Sequence, residues 1–231
     1  MAANRLAALL RKVGQLIRRA TSQPAVRQQP GETLQMSQGP HVRRIPNTVD
    51  EFLEELGYWE AEYFNDPKVG TKYDVPYFNN IRPGRELLDN NIEALWIWKD
   101  PMRGPKVAVR VKLILDKTNQ FRKGQITEAT FWEASSQVAG GGTVWQVFCF
   151  HIARPHEYPL FDQHTRRAHI YLTTGQVDKV LVPLSHSYKK FREHYQPYKD
   201  FFLALLPQCC GNSRVLDRAL WKFGKRLKED P

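Results

Sequence analysis

From residue 50 onward, apolar residues recur at helical spacing in most segments of this chain. Phe52, Leu53 and Leu56 share one face of a segment whose first turn carries carboxylates, and Gly57 is placed to end it. The same spacing predicts further helices at residues 89–98, 130–139, 143–153, 162–172, 198–206 and 214–223. The pattern therefore predicts an all-α fold.

Helix ends are predicted from capping residues, and one segment allows two interpretations. Thr130 and Glu133 have the spacing of a capping box, which predicts a helix start at Thr130, and Gly224 is placed to cap the last helix. Segment 106–115 alternates charged and β-branched residues, as a strand does. Apolar residues nevertheless continue at helical spacing toward Lys117, so we favour a helix there.

The first 49 residues differ from the rest, because Glu32 is their only acidic residue. Residues 3–20 place apolar side chains at helical spacing with basic residues on the other faces, and residues 21–46 are rich in Gln, Pro and Ser. We predict a basic arm at 1–49 and a helical domain at 50–231. Three functions are consistent with the basic arm. It could bind along DNA, serve as a mitochondrial or nuclear targeting segment, or form a helix at a membrane surface.

The composition favours an anionic partner. The formal net charge is +10 at pH 7, which suits phosphates, so nucleic acid is the leading partner class and an anionic membrane the second. No apolar run reaches the ~20 residues that a transmembrane helix needs. We therefore expect an intracellular protein without stable membrane association.

The cysteines and histidines exclude common metal sites. The three cysteines include no pair with the spacing of a zinc ribbon or an iron–sulfur cluster, which favours free thiols in a reducing compartment. Four histidines lie close together in the sequence, and their spacing matches no zinc-binding pattern either: His151, His156, His164 and His169. We predict no metal and no cofactor.

Three consecutive glycines, Gly140, Gly141 and Gly142, separate two predicted helices. Glycines let the backbone turn sharply and approach another molecule closely. The helix that begins at Thr143 would present free N–H groups and a positive dipole end to a phosphate. A tight corner between two helices, with no ligand, would use the same glycines.

Asp162 stands directly before a predicted helix, where aspartate is a favoured N-cap. The alternative is a catalytic carboxylate that stabilises positive charge or activates water. His164, Arg166 and Arg167 follow, and basic side chains favour the ionised carboxylate.

The joint spacing of these two elements resembles the helix-hairpin-helix DNA glycosylase superfamily, which includes the endonuclease-III-like enzymes. In that family a glycine hairpin is followed by a helix, a loop, and an aspartate with a basic residue downstream. The resemblance covers residues 130–172 and a closing helix at 214–224, and it implies a two-lobed fold with Asp162 as the catalytic residue. It also implies DNA contacts from the hairpin and its surroundings, at Gly140, Gly141, Gly142, Thr143, His164, Arg166 and Arg167.

The chain departs from the family pattern at two places. Bifunctional members carry a Schiff-base lysine just after the hairpin, where this chain has Val144. Val138 and Ala139 precede the hairpin instead of an apolar residue and proline, which alters the expected phosphate grip. The resemblance therefore implies a monofunctional enzyme that uses water and lacks lyase activity.

A glycosylase flips its target base into a pocket, and this chain has many aromatic residues for such a pocket. Tyr77 and Phe78 lie in a segment predicted as a loop, and with Trp145 they are the pocket candidates. The expected partner is double-stranded DNA, bound by a monomer in the cytoplasm at the nucleoid. The sequence leaves the excised base open, as it does the choice between DNA repair and attack on modified foreign DNA.

Two other functions fit the same sequence. A non-catalytic DNA-binding protein would keep the helix-hairpin-helix without a base pocket. A protein acting at a membrane surface would bind through the amphipathic segment 3–20, and deletion of residues 1–20 would abolish its binding to liposomes.

Overall fold

The computed structural model describes residues 44–66, 69–82, 84–138, 142–177 and 187–229. The chain divides into two units, Met1–Ile45 and Pro46–Pro231, and the predicted amphipathic segment 3–20 lies outside the described residues. Within the described ranges the second unit forms eleven α-helices and no strand, which confirms the all-α prediction.

The helices follow one another along the chain. They are α1 (Val49–Glu54), α2 (Leu56–Phe64), α3 (Gly70–Ile81), α4 (Asp89–Lys99), α5 (Gly104–Lys112), α6 (Leu115–Arg122), α7 (Glu128–Val138), α8 (Thr143–Ala153), α9 (Gln163–Thr174), α10 (Tyr188–Leu205) and α11 (Ser213–Glu229). A 3₁₀ turn at Leu206–Cys209 links the last two.

The predictions for α4, α8 and α9 are confirmed to within about two residues. The ambiguous segment 106–115 is helical, although it is divided between α5 and the start of α6. Residues 77–80 were predicted as a loop, and this was wrong, because they form the last turn of α3. Helix α10 begins ten residues before the predicted start at Tyr198 and contains Pro197.

Three predicted helix ends were also wrong. Gly57 lies inside α2, because the chain bends at Glu55 and a new helix begins at once. Thr130 is the third residue of α7, and Thr127 caps this helix by accepting a hydrogen bond from the Thr130 N–H at 3.1 Å. Gly224 lies within α11.

Helix α8 is at the centre of the hydrophobic core. Every residue from Gln146 to Ala153 is buried, which is typical of a helix surrounded by others. On one side the ring of Phe148 packs edge-on against Trp96 of α4, with centroids 4.9 Å apart. On another side Phe150 packs against Phe131 of α7 at 5.0 Å.

Helix α11 packs against both α9 and α2. The crossing with α9 is very close at Gly224, where an added Cβ would lie 1.9 Å from the carbonyl oxygen of His164. Arg167 of α9 donates from Nη1 to the Gly224 carbonyl oxygen at 3.1 Å. The glycine therefore sets the separation of α9 and α11, and with it the position of the first turn of α9.

Candidate functional site

A cavity of about 340 Å³ opens where α2, α4, α9 and α11 meet. Its wall holds aromatic rings, two carboxylates and several cationic side chains. The lining residues are Tyr63, Val69, Trp98, Lys99, Leu160, Asp162, His164, Thr165, Arg214, Asp217, Trp221 and Lys225. Of the residues predicted as functional from the sequence, Asp162 and His164 line this cavity.

Asp162 is the N-cap of α9. Its Oδ1 accepts hydrogen bonds from the N–H groups of His164 at 2.7 Å and Thr165 at 3.0 Å. The hydroxyl of Thr165 accepts from the Asp162 N–H at 2.9 Å and completes a capping box. In the part of the chain that the structure describes, Oδ2 accepts no hydrogen bond. The cap therefore holds the carboxylate in place through one oxygen and leaves the other for a ligand or water.

Asp217 is a second carboxylate in the cavity wall, and sequence reasoning missed it. Its Oδ2 accepts from Nη1 of Arg214, one turn earlier on α11. Burial raises the pKa of Asp217 to about 6, with a further rise from the charge of Asp162, while Arg214 acts in the opposite direction. The only signal in the sequence is the three-residue spacing of Arg214 and Asp217, which places them on one helix face. Ion pairs on exposed helix surfaces have the same spacing, so it does not indicate a cavity.

Arg214 connects the cavity wall to a buried ion network. Its Nη2 donates to the Tyr63 hydroxyl at 3.0 Å and to Asp74 Oδ1 at 2.7 Å, and it is 7% exposed. Arg218 Nη1 donates to the other Asp74 oxygen at 3.2 Å. Burial raises the pKa of Tyr63 well above its usual value, so its hydroxyl stays protonated. The network holds Tyr63 and Asp217 rigidly at the cavity.

His164 lies beside Asp162 on the first turn of α9. Its ring meets Trp221 edge-on, with centroids 5.1 Å apart, and its Nδ1 lies 3.3 Å from Nη1 of Arg167. Burial lowers the pKa of His164, although the charge of Asp162 acts in the opposite direction. The imidazole is therefore neutral at neutral pH and can accept or donate a hydrogen bond at the cavity.

The glycine hairpin is described only at its end, because Gly140 and Gly141 lie outside the described residues. Gly142 is the N-cap of α8, with φ −110° and ψ 140°, and its carbonyl oxygen accepts from the N–H of Trp145 and of Gln146. Thr143 is buried at the first position of α8. A helix N-terminus thus follows the hairpin, as the sequence predicts.

The two predicted DNA-binding arginines occupy different environments. Arg166 is half-buried, whereas Arg167 is 3% exposed and its guanidinium lies in the contact between α9 and α11. Arg167 therefore packs between α9 and α11, and its predicted contact with DNA stays a prediction.

The three predicted pocket residues do not line the cavity with Asp162. Tyr77 is buried, with its hydroxyl 2.9 Å from Nε2 of His151. Phe78 is 53% exposed, and Trp145 stacks on Trp96 with centroids 4.9 Å apart. The rings that do line the cavity are Tyr63, Trp98 and Trp221, which come from three different helices.

His151 is a neutral residue of the core. Its Nδ1 lies 2.7 Å from the carbonyl oxygen of Tyr158, and burial lowers its pKa to about 3. Cys149 and Cys209 are buried free thiols and Cys210 is exposed. Among the described residues there is no group of three or more acidic, histidine or cysteine side chains placed to hold a metal ion.

None of the described helices combines the length and the hydropathy that are needed to cross a membrane.

No family model matches this chain, and no curated protein or solved structure shows significant similarity to it. The function is therefore inferred from the site and from the sequence pattern.

Proposed function

We propose that this protein is a monofunctional DNA glycosylase, which flips a damaged or modified base out of the duplex and hydrolyses its N-glycosidic bond. The observation that carries the proposal is the position of Asp162, which lines an aromatic-lined cavity and has one carboxylate oxygen that accepts no hydrogen bond from the described residues.

The cavity suits a flipped base. Its volume of about 340 Å³ is in the range of small-molecule sites, and Tyr63, Trp98 and Trp221 offer faces and edges for stacking. The protonated Tyr63 hydroxyl and the Asp217 carboxylate add a donor and an acceptor for the polar edge of the base.

Asp162 suits the hydrolytic step. Cleavage of the glycosidic bond builds positive charge on the sugar, and a fixed carboxylate stabilises that charge and orients the attacking water. The cap holds Asp162 before substrate arrives, so little reorganisation is needed during the reaction. Val144 supplies no amine at the start of α8, which favours water as the nucleophile for base release.

The net charge and the N-terminus of α8 support DNA as the substrate. A chain with a net charge of +10 gains affinity by releasing counterions from phosphates, and the N–H groups behind Gly142 suit a phosphate oxygen. In this proposal a monomer acts on DNA in the cytoplasm, the helix-hairpin-helix holds the backbone, and two helical lobes flank the cavity.

The test is release of a free base from duplexes that carry a panel of damaged and modified bases. Abasic sites are also converted to strand breaks with mild alkali. The key variant is D162N, because asparagine caps helices about as well as aspartate but carries no charge. D100N is the matched control, because Asp100 Oδ1 also accepts from the N–H groups two and three residues later, at 3.0 Å each, outside the cavity.

We expect base release from at least one duplex by the wild type and by D100N, and a loss of roughly 100-fold or more in D162N, which still folds and binds DNA. Base release by D162N at the wild-type rate would overturn the role of Asp162. DNA binding that falls with salt, without base release from any duplex, would favour the non-catalytic DNA-binding protein.

A further inference from the structure

Helix α5 has one side in the core and one side in solvent. Gly104 and Ala108 are buried on the inner side, and at Gly104 an added Cβ would lie 2.2 Å from a backbone carbonyl oxygen of α4. This close contact fixes which side of α5 faces outward. On the outer side Val109 is 65% exposed, and Leu113, at the C-terminal end of the helix, is 80% exposed. Two apolar side chains are therefore left exposed four residues apart, on one helix face.

Cationic side chains share this outer side. Lys106 lies three residues before Val109, and the same spacing separates Arg110 from Leu113. Residues three or four apart are neighbours on a helix surface. The turn before α5 adds one more cation and one more apolar side chain, which is 86% exposed. Six exposed residues make up this surface, which we call the α5 face: Met102, Arg103, Lys106, Val109, Arg110 and Leu113.

The charge of the α5 face is of one sign. Residues 101–115 contain no acidic residue. Lys112 forms an ion pair with Glu93 at 2.6 Å, whereas Arg103, Lys106 and Arg110 form none with the residues that the structure describes. The face therefore suits an anionic partner, and a second copy of the same face would bring like charges together.

The mixture of charge and apolar surface distinguishes between anionic partners. The centre of a protein interface is depleted of charged residues, whereas Lys106 and Arg110 lie directly beside Val109. The backbone of DNA would bind the cations but would offer phosphates to Val109 and Leu113. An anionic bilayer suits both kinds of side chain, because apolar groups enter the boundary of the acyl chains while long cationic side chains reach the lipid phosphates.

We propose that the α5 face docks on the surface of a membrane that contains anionic phospholipids. The docking surface belongs to the helical domain, and the inference does not depend on the proposed glycosylase activity. Three apolar side chains and three cations give weak, reversible binding that falls with salt. Such binding is consistent with the expected absence of stable membrane association.

The experiment is sedimentation of the full-length protein with vesicles of phosphatidylserine and phosphatidylcholine, compared with vesicles of phosphatidylcholine alone. V109T/L113Q removes apolar surface from the α5 face, and V75T is its control, because Val75 is also a helical valine and is 52% exposed. K106Q/R110Q removes two charges from the face. Its control is K189Q/K190Q, which removes two exposed charges from α10. Affinity for duplex DNA and base release are measured on the same proteins.

We expect the wild type and both controls to bind the mixed vesicles, and to bind pure phosphatidylcholine at least roughly tenfold more weakly. Each basic residue near an anionic surface strengthens binding about fivefold, so K106Q/R110Q should lose roughly 25-fold. V109T/L113Q should lose roughly tenfold or more, because less apolar surface enters the membrane. Base release should be unchanged in all these variants, so loss of docking and loss of the proposed activity are separate results.

Three results would overturn the inference. The first is no binding by the wild type, and the second is undiminished binding by V109T/L113Q, since another segment would then make the contact. The third is an equal loss in K106Q/R110Q and K189Q/K190Q, since only net charge would then matter. If V109T/L113Q lost affinity for duplex DNA but not for vesicles, the α5 face would be a DNA contact instead.

Discussion

Replacing Gly224 with alanine should destabilise this protein, although the same change inside an exposed helix is ordinarily stabilising. Gly224 lies within α11 at the point where this helix crosses α9. Its added methyl group would therefore meet the backbone of another helix instead of solvent.

The size of the effect follows from two opposing contributions. Alanine is favoured over glycine in a helix by about 1 kcal/mol. Against this, the new Cβ would lie 1.9 Å from the His164 carbonyl oxygen and 2.7 Å from its carbon, whereas ordinary contact begins at 3.4 Å. Both atoms are backbone, so no side-chain rotation relieves the overlap.

The two helices must therefore separate. Overpacking of this kind costs about 1–3 kcal/mol or more, and a weakened hydrogen bond from Arg167 to the Gly224 carbonyl oxygen adds about 1 kcal/mol. We expect a net loss of about 1–3 kcal/mol in the free energy of unfolding.

The assay is urea denaturation of the wild type, G224A and the matched control G57A. Gly57 also lies inside a helix, but an added Cβ there meets nothing within 4 Å. G57A should therefore gain up to about 1 kcal/mol, the opposite sign. The separation in G224A would also displace the first turn of α9, so base release should fall with stability. A G224A protein as stable as G57A would refute the reasoning.

Two further predictions concern His151 and Arg122. Lowering the pH from 7 to 5 should cost about 2 kcal/mol through His151, because the unfolded chain binds a proton near pH 6.5 whereas the folded pKa is about 3. Urea midpoints at both pH values measure this loss, and His151→Gln should reduce it; an unchanged loss would exclude His151 as the source. Arg122 donates to the carbonyl oxygens of Ile81 at 2.9 Å and Ile152 at 3.2 Å, so R122K should lose about 1–3 kcal/mol. The control is R110K, because Arg110 is exposed and forms no ion pair with the residues that the structure describes. It should change stability by less than about 0.5 kcal/mol, and equal losses in R122K and R110K would contradict the role of Arg122.

Some features of this protein could be predicted from the sequence because they depend on neighbouring residues. The apolar spacing of α4, α8 and α9 extends over three turns in each helix, and each helix forms where that spacing predicts it. Asp162 is an N-cap for a local reason, since its carboxylate bonds to N–H groups two and three residues away.

Glycines show where local reasoning fails. Gly57 and Gly224 both have the position of a helix stop in the sequence, and both lie inside helices. At Gly224, α9 crosses so closely that a side chain would overlap the backbone of His164. This contact is between residues far apart in the chain, so the local sequence pattern does not reveal it.

Only the tertiary structure decided the composition of the cavity. The sequence pointed to Tyr77 as a pocket residue, but the helical turn at the end of α3 directs its hydroxyl to His151 in the core. Trp98, Lys99 and Asp217 lie in unremarkable helical positions, and they meet at Asp162 because α4 and α11 pack around the start of α9. Helix formation depends on interactions within one or two turns, whereas a cavity depends on which helices pack together, and that packing is settled by the whole core at once.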